Sequence, residues 1–168
     1  MQQEVAQAQD RALQYLRREQ RDNGSWVPLW FGNQHRLRDE ENPTYGTSMV
    51  IRALDELGSF PEADHGAKWL LESQNKDGGW GSGRDETPST VEETSLAISA
   101  LAFRCEAWGA VSRGVVWLLE ETKDGHEFEA APIGFYFARL WYFERSYPII
   151  WATEAFNRVK AAIDSTGE

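Results

Sequence analysis

Apolar residues recur along this chain at the three-and-four spacing of helices with one wet face. Val5, Ala8, Ala12, Leu13 and Leu16 share a face of residues 3–20, with Arg and Glu between them. Met49, Val50, Ala53, Leu54 and Leu57 mark a second helix over 45–57, stopped by Gly58. Pro61 opens a third that runs to about Gln74. Thr90-Val-Glu-Glu93 has the form of a capping box, in which Thr90 accepts from early backbone N–H groups and Glu93 reaches back. It opens a helix whose stretch Leu96 to Phe103 is apolar nearly all round, which predicts burial on most sides. Val115, Val116, Trp117, Leu118 and Leu119 give a fifth helix over 110–122. A last pair is read at 133–146 and 148–163, divided at Pro148, which disfavours helix at Tyr147. Two long Gly-rich loops, 21–44 and 75–89, separate helices, and no strand-like alternation of any length is visible.

Helices with charged faces (3–20, 62–74, 110–122) alternate with more apolar ones (45–57, 92–105, 133–146). Two layers follow: an inner arc of apolar helices backed by an outer arc of amphipathic ones. The expectation is one all-α domain over 1–168, built of about three helical hairpins, with no linker that would divide it.

The chain also repeats itself. Gln20-Arg-Asp-Asn-Gly24-Ser-Trp26 returns as Gln74-Asn-Lys-Asp-Gly78-Gly-Trp80, each position 54 further on (20 to 74, 26 to 80). A worn third copy, Trp117 to Gly125, keeps the helix and the Asp124-Gly125 turn but lacks the Gln and the Trp. A period near fifty residues signals stacked supersecondary units. In each full copy the Asn-Gly or Asp-Gly pair supplies the left-handed turn that ends an outer helix. The Gln amide lies where it can satisfy free backbone groups. The Trp can fold back on the helix pair, burying its ring and finding an acceptor for its N–H. Recurrence favours a structural clip over a site-lining role, because a catalytic residue is needed once.

Gln-x-x-x-Gly-x-Trp is the QW motif of the triterpene cyclases, and the resemblance runs further. Gly24-Ser-Trp26-Val-Pro-Leu-Trp30-Phe31-Gly-Asn-Gln34, Asn42-Pro-Thr-Tyr45-Gly-Thr47, Asn75-Lys-Asp-Gly-Gly-Trp-Gly81, Thr87-Pro-Ser-Thr90 and Gly134 to Tyr142 resemble the last part of squalene–hopene cyclase-like proteins. The resemblance covers nearly the whole chain. It implies an α/α toroid in which Gln20, Gly24, Trp26, Gln74, Gly78 and Trp80 tie outer helices together. It implies a squalene-like polyene as partner of the complete protein, and carbocation chemistry that needs no cofactor. By the same match Trp30, Phe31 and Tyr45 are the candidates for lining the cavity. The segment between Trp26 and Tyr45, including His35 to Glu41, is longer and more charged than the family pattern.

Protonating an alkene needs a strong acid in a dry pocket, followed by aromatic faces that stabilise migrating positive charge. The family's acid is an Asp of an Asp-x-Asp-Asp motif that lies upstream of the part matched here, and this sequence contains no Asp-x-Asp-Asp. The expectation is therefore the C-terminal segment of a larger cyclase, a partial toroid that contributes barrel wall and aromatics and no acid, so that it does not turn over alone. The alternative is a free-standing non-catalytic module that binds a protein or an isoprenoid and self-associates through its end helices, 3–20 and 133–163.

Composition narrows the partners. A net charge of -10 leaves no basic stripe for nucleic acid and weakens attraction to anionic lipid. The single Cys105 excludes an intrachain disulfide and a Cys-based zinc site, fits a reducing, cytoplasmic compartment, and reads as a buried small apolar residue. No signal-peptide pattern stands at the N-terminus. The stretch 133–156 is interrupted by Arg139, Glu144, Arg145 and Glu154, which argues against a spanning helix, although 135–143 is apolar enough to touch a membrane surface if exposed. His35, His65 and His126 have no metal spacing. The carboxylate clusters Glu92/Glu93 and Asp39-Glu40-Glu41 could suggest glycoside hydrolysis, but helix-start electrostatics accounts for the first and loop solvation for the second.

Overall fold

A computed structural model describes residues 1–168 apart from 30, 37, 136–139 and 167–168. The elements in chain order are α1 (Gln2–Glu19), α2 (Pro43–Asp55), α3 (Pro61–Glu72), α4 (Val91–Leu101), a 3-10 turn (Cys105–Ala107), α5 (Trp108–Glu121), a hairpin of β1 (Ala131–Phe135) and β2 (Leu140–Glu144), and α6 (Ser146–Thr166).

The helix starts follow from local chemistry. Asn42 caps α2, its Oδ1 accepting from the Tyr45 N–H at 3.1 Å, and Pro43 occupies the first turn, where no N–H is needed. Pro61 does the same for α3, whose first turn also carries Glu62 and Asp64 against the positive end of the helix dipole. At α4 the Thr90 hydroxyl accepts from the Glu93 N–H at 3.2 Å. The return bond of the capping box does not form. The Thr90 N–H donates to the Trp80 carbonyl instead, and the Glu93 carboxyl turns to the Thr90 hydroxyl and to Asn42.

The helices form two layers. Inside, α4 packs between α2 and α6; outside, α3 backs α2 and α5 backs α4. The main core joins Ile51, Leu70, Trp80, Ile98, Leu101, Val111, Leu118, Ala152 and Ala155. With neighbours on both flanks and behind, every residue of α4 from Glu92 to Leu101 is buried. By contrast α1 buries no residue. It rests through half-buried Leu13 and Leu16 on a second cluster of Trp26, Leu54 and Ala63.

Two expectations fail around the C-terminal third. The helix expected over 133–146 is not found in its described residues before α6: β1 and β2 pair antiparallel, in register from Ala131 opposite Glu144 to Phe135 opposite Leu140. Pro132 and Gly134 are poor helix formers, and Ile133, Trp141, Tyr142 and Phe143 are residue types that favour a pleated surface, so the apolar run is equally compatible with extended chain. Pro148 does not divide helices either. It lies in the first turn of α6, which begins at Ser146 with its N–H donated to the Glu144 carboxylate at 3.0 Å. The third inner position therefore belongs to α6. It is held by the ion pair of Arg52 with Glu154 and by the Arg158 Nε–H donated to the Ser99 carbonyl at 2.7 Å. Cys105 is exposed rather than buried, because the chain has already left the core at the 3-10 turn. Among the described residues no helix is long and apolar enough to cross a membrane.

Candidate functional site at the amino-terminal ends of the inner helices

The two full copies of the repeated segment are built alike. The Gln20 Nε2 donates to the carbonyls of Gly24 and Glu62, both at 2.9 Å, and the Gln74 Nε2 to those of Gly78 and Ala110, both at 2.8 Å. One bond closes the turn after an outer helix; the other reaches the first turn of the next outer helix. The turns need a left-handed residue, and Gly24 and Gly78 take φ of +93° and +97°. Trp26 Nε1 donates to the Leu16 carbonyl at 2.7 Å and Trp80 Nε1 to the Leu70 carbonyl at 2.8 Å. Their backbone N–H groups donate to the hydroxyls of Thr47 and Thr94, each at 2.9 Å, on the following inner helices. The ring edges rest on the glycines of the next outer helices: a Cβ on Gly66 would lie 2.8 Å from Trp26 Cζ3, and one on Gly114 2.6 Å from Trp80 Cζ3. Each indole thus meets three helices. In the worn copy Glu121 stands four residues before Gly125, where the Gln would be, and the hydroxyl of the next residue, Thr122, bonds within its own turn, to the Leu118 carbonyl and from the Gly125 N–H.

Sequence reasoning named Gln, Gly and Trp but missed Thr47 and Thr94, and Gly66 and Gly114. Their own recurrence, 47 residues apart for the threonines (47 to 94) and 48 for the glycines (66 to 114), was the available signal. Gln74→Ala removes the donor from two carbonyls and should lower stability by about 1–3 kcal/mol, read as the urea midpoint. Gly114→Ala forces a methyl into the indole and should cost about 1–3 kcal/mol in the same experiment.

The same end of the inner layer gathers aromatic rings. Phe31 stacks on Tyr45 with centroids 4.5 Å apart, Tyr45 meets Trp151 edge-on at 6.4 Å, and Trp151 meets Tyr147 edge-on at 5.9 Å. Tyr45 stands in the first turn of α2, Tyr147 and Trp151 in the first turns of α6, and Phe31 on the loop between α1 and α2. Trp30 lies outside the described residues. Tyr147 and Trp151 were not singled out from the sequence, because the helix was expected to break beside Tyr147.

Beside these rings, at the start of α4, sit Glu92 and Glu93, both buried. Glu93 Oε1 accepts from Asn42 Nδ2 at 2.6 Å, and Oε2 meets the Thr90 hydroxyl. Burial and the neighbouring Glu92 push the Glu93 carboxyl up to about 7, against the pull of Asn42 and Asn33. Burial also raises Glu92. Tyr147 is raised by burial and by Tyr45 and the two glutamates nearby; burial raises Tyr45, with Arg52 opposing. The other acidic cluster stays out of the site: Asp39 pairs with Arg36 at 2.7 Å and Glu41 with Arg21 at 2.6 Å. What the site offers chemically is a set of aromatic faces and edges, suited to apolar surface and to positive charge, with one buried carboxyl pair at its margin.

An inner arc of helices backed by an outer arc and clipped at each turn is the architecture of an α/α toroid. The profile of the squalene-hopene cyclase C-terminal domain matches residues 1–161, and the chain belongs to that family. It is 31% identical over 173 residues to the squalene–hopene cyclase of Zymomonas mobilis, a match covering 90% of this chain and 24% of that protein. It is 31% identical over 149 residues to the enfumafungin synthase of Hormonema carpetanum, covering 78% of this chain and 10% of that protein. The chain thus spans a quarter or less of these relatives. A type II terpene cyclase from Scytonema superposes with a TM-score of 0.69 at 18% identity, over 95% of this chain and 53% of that one, which is a likeness of fold. A second structure of that cyclase holds geranylgeranyl dihydroxybenzoate as substrate (TM-score 0.67, 18% identity).

Proposed function

We propose that this chain supplies barrel wall and aromatic lining for the cavity in which a cyclase folds a hydrophobic, squalene-like polyene and passes it through carbocations. The observation that carries this reading is the run of four rings, Phe31, Tyr45, Trp151 and Tyr147, at the amino-terminal ends of the inner helices. Such rings stabilise positive charge by their faces without competing as nucleophiles. Trp30 joins them through the family resemblance. The clips keep the wall rigid, so the rings hold their positions as charge moves past them.

The same reading assigns this chain no initiating acid. The sequence has no Asp-x-Asp-Asp, and Glu93, with a carboxyl raised toward neutrality, is far too weak to protonate an alkene. The acid would come from a part of the cyclase outside the matched domain. Squalene added to this 168-residue chain should quench tryptophan fluorescence in a saturable way and give no cyclised product by gas chromatography and mass spectrometry. Product formation would overturn the reading that the acid lies elsewhere, and the absence of any binding would overturn the cavity itself.

A second reading is supported by Ile149 and Ile150, exposed on α6. A free-standing module would cover them by self-association through its end helices, and sedimentation would then give a species of twice the chain mass.

A further inference from the structure

We infer that the cavity at the carboxyl-terminal ends of α2 and α4 binds a carboxylate with an apolar body, its head on Arg158 and its body along Phe103 and Trp108. This site lies at the opposite end of the inner layer from the aromatic cluster and does not rest on the cyclase reading. The cavity measures about 460 Å³, and the guanidiniums of Arg52, Arg104 and Arg158 line it. Two of them are already matched. Arg52 pairs with Glu154, and Arg104 pairs with Asp55 and Asp64, both at 2.7 Å. Arg158 is held differently. Its Nε–H is donated to the Ser99 carbonyl at 2.7 Å, and its guanidinium lies over the Phe103 ring, 5.1 Å from the centroid. Those two contacts fix where the group sits. Among the described residues its two terminal nitrogens have no hydrogen-bond or ion-pair partner. Glu154, Asp55 and Glu56 act on it through space, but burial and the charge of Arg52 outweigh them and lower its pKa. A guanidinium stays charged even so, and a held fork of two N–H groups matches the two oxygens of a carboxylate.

The surroundings select among anions. Asp55, Glu56 and Asp64 also line the cavity, and their charge opposes a dianion such as phosphate more than a single carboxylate. The walls are suited to more than a bare anion. Phe103 is 53% exposed. Beyond Phe103 and Arg104, which border both, lies a second cavity of about 330 Å³, walled by Ala102, Trp108, Ala162 and Ile163. Trp108 and Ile163 are 37% and 39% exposed. Apolar walls beside one charged anchor suit an amphiphile: the anchor sets its orientation and the walls bury its body.

The test is isothermal titration calorimetry of the 168-residue chain at neutral pH with decanoate, its methyl ester, acetate and inorganic phosphate. Decanoate should bind about tenfold more tightly than the ester, which has the same body without the charge. Acetate and phosphate should give no measurable binding. Arg158→Gln tests the anchor. The glutamine Nε2 stands as many bonds from the backbone as the arginine Nε, so the Ser99 carbonyl keeps a donor while the fork and its charge are lost. With circular dichroism unchanged, this variant should bind acid and ester alike. Trp108→Ala, at the start of α5, should weaken decanoate about fivefold, and it keeps the placement testable if Arg158→Gln does not fold. Equal affinities for decanoate and its ester would overturn the role of the fork. Acetate or phosphate binding as tightly as decanoate would overturn the apolar body. A preference that survives Arg158→Gln, or an affinity unmoved by Trp108→Ala, would overturn the placement. Binding of none of the four would remove the site and leave the cyclase reading standing.

Discussion

Replacing Trp80 with alanine should lower the stability of the chain by about 3–5 kcal/mol, the cost of emptying a buried aromatic site. The ring is fully buried, so the lost area is complete. Its Nε1 bond to the Leu70 carbonyl disappears, leaving that carbonyl at the end of α3 with the Ser73 N–H alone. Collapse around the void is restricted because Gly114 and Ile98 already stand at the ring edge, and neither backbone can move without disturbing α4. Chemical denaturation with an unchanged slope would show the loss as a lower midpoint. A midpoint within experimental error of the unsubstituted chain would refute the clip. Trp26→Ala offers an internal comparison. Its bonds are the same, but it fastens α1, which buries no residue of its own. The expected outcome there is local release of α1, seen as faster amide exchange over residues 2–19, with a smaller change in the global midpoint.

The second large effect is a pH dependence. Glu93 has its carboxyl raised from 4.5 to about 7 by burial and by Glu92. In the unfolded chain the group returns to its ordinary value, so between those two limits the folded state holds a proton that the unfolded state has lost. Its contribution to stability is therefore full below about pH 4.5 and is lost as pH rises through about 7. The size of the loss is on the order of 3 kcal/mol. Glu93→Gln should remove it, since a glutamine accepts from Asn42 and donates to Thr90 without a charge to bury. The variant should match the unsubstituted chain near pH 5 and exceed it at pH 8 in thermal melts. Parallel pH profiles for the two proteins would show that Glu93 titrates normally and that its burial carries no penalty.

Much of this molecule is legible in one dimension because its causes are local. Helices α1 to α5 follow from three-and-four periodicity, with Pro61 and Thr90 as short-range start signals for α3 and α4; the Asn42 cap and Pro43 start α2 two residues before the 45 that its apolar positions gave. The two-layer order followed from which helices were charged on one side and which were apolar all round, and burial of α4 matches that pattern. The hairpin of β1 and β2 was missed because a run this apolar, broken before Glu144 only by Arg139, shows no clear period, so propensity alone had to separate helix from strand. The misplacement of α6 followed from it: Pro148 was read as a boundary when it is a first-turn residue.

The candidate site divides in the same way. By itself the sequence determined the helical class, the repeat, and the glycines, glutamines and tryptophans of each turn, because backbone conformation and amphipathic spacing are properties of neighbouring residues. Only the tertiary structure decided that Trp151 and Tyr147 join Phe31 and Tyr45, and that Asn33 and Asn42, 60 and 51 residues before Glu93 (93 − 33 and 93 − 42), meet its carboxyl. Such meetings depend on how three inner helices align their amino-terminal ends. The raised carboxyl likewise comes from burial, which is a property of the packed whole and of no segment within it.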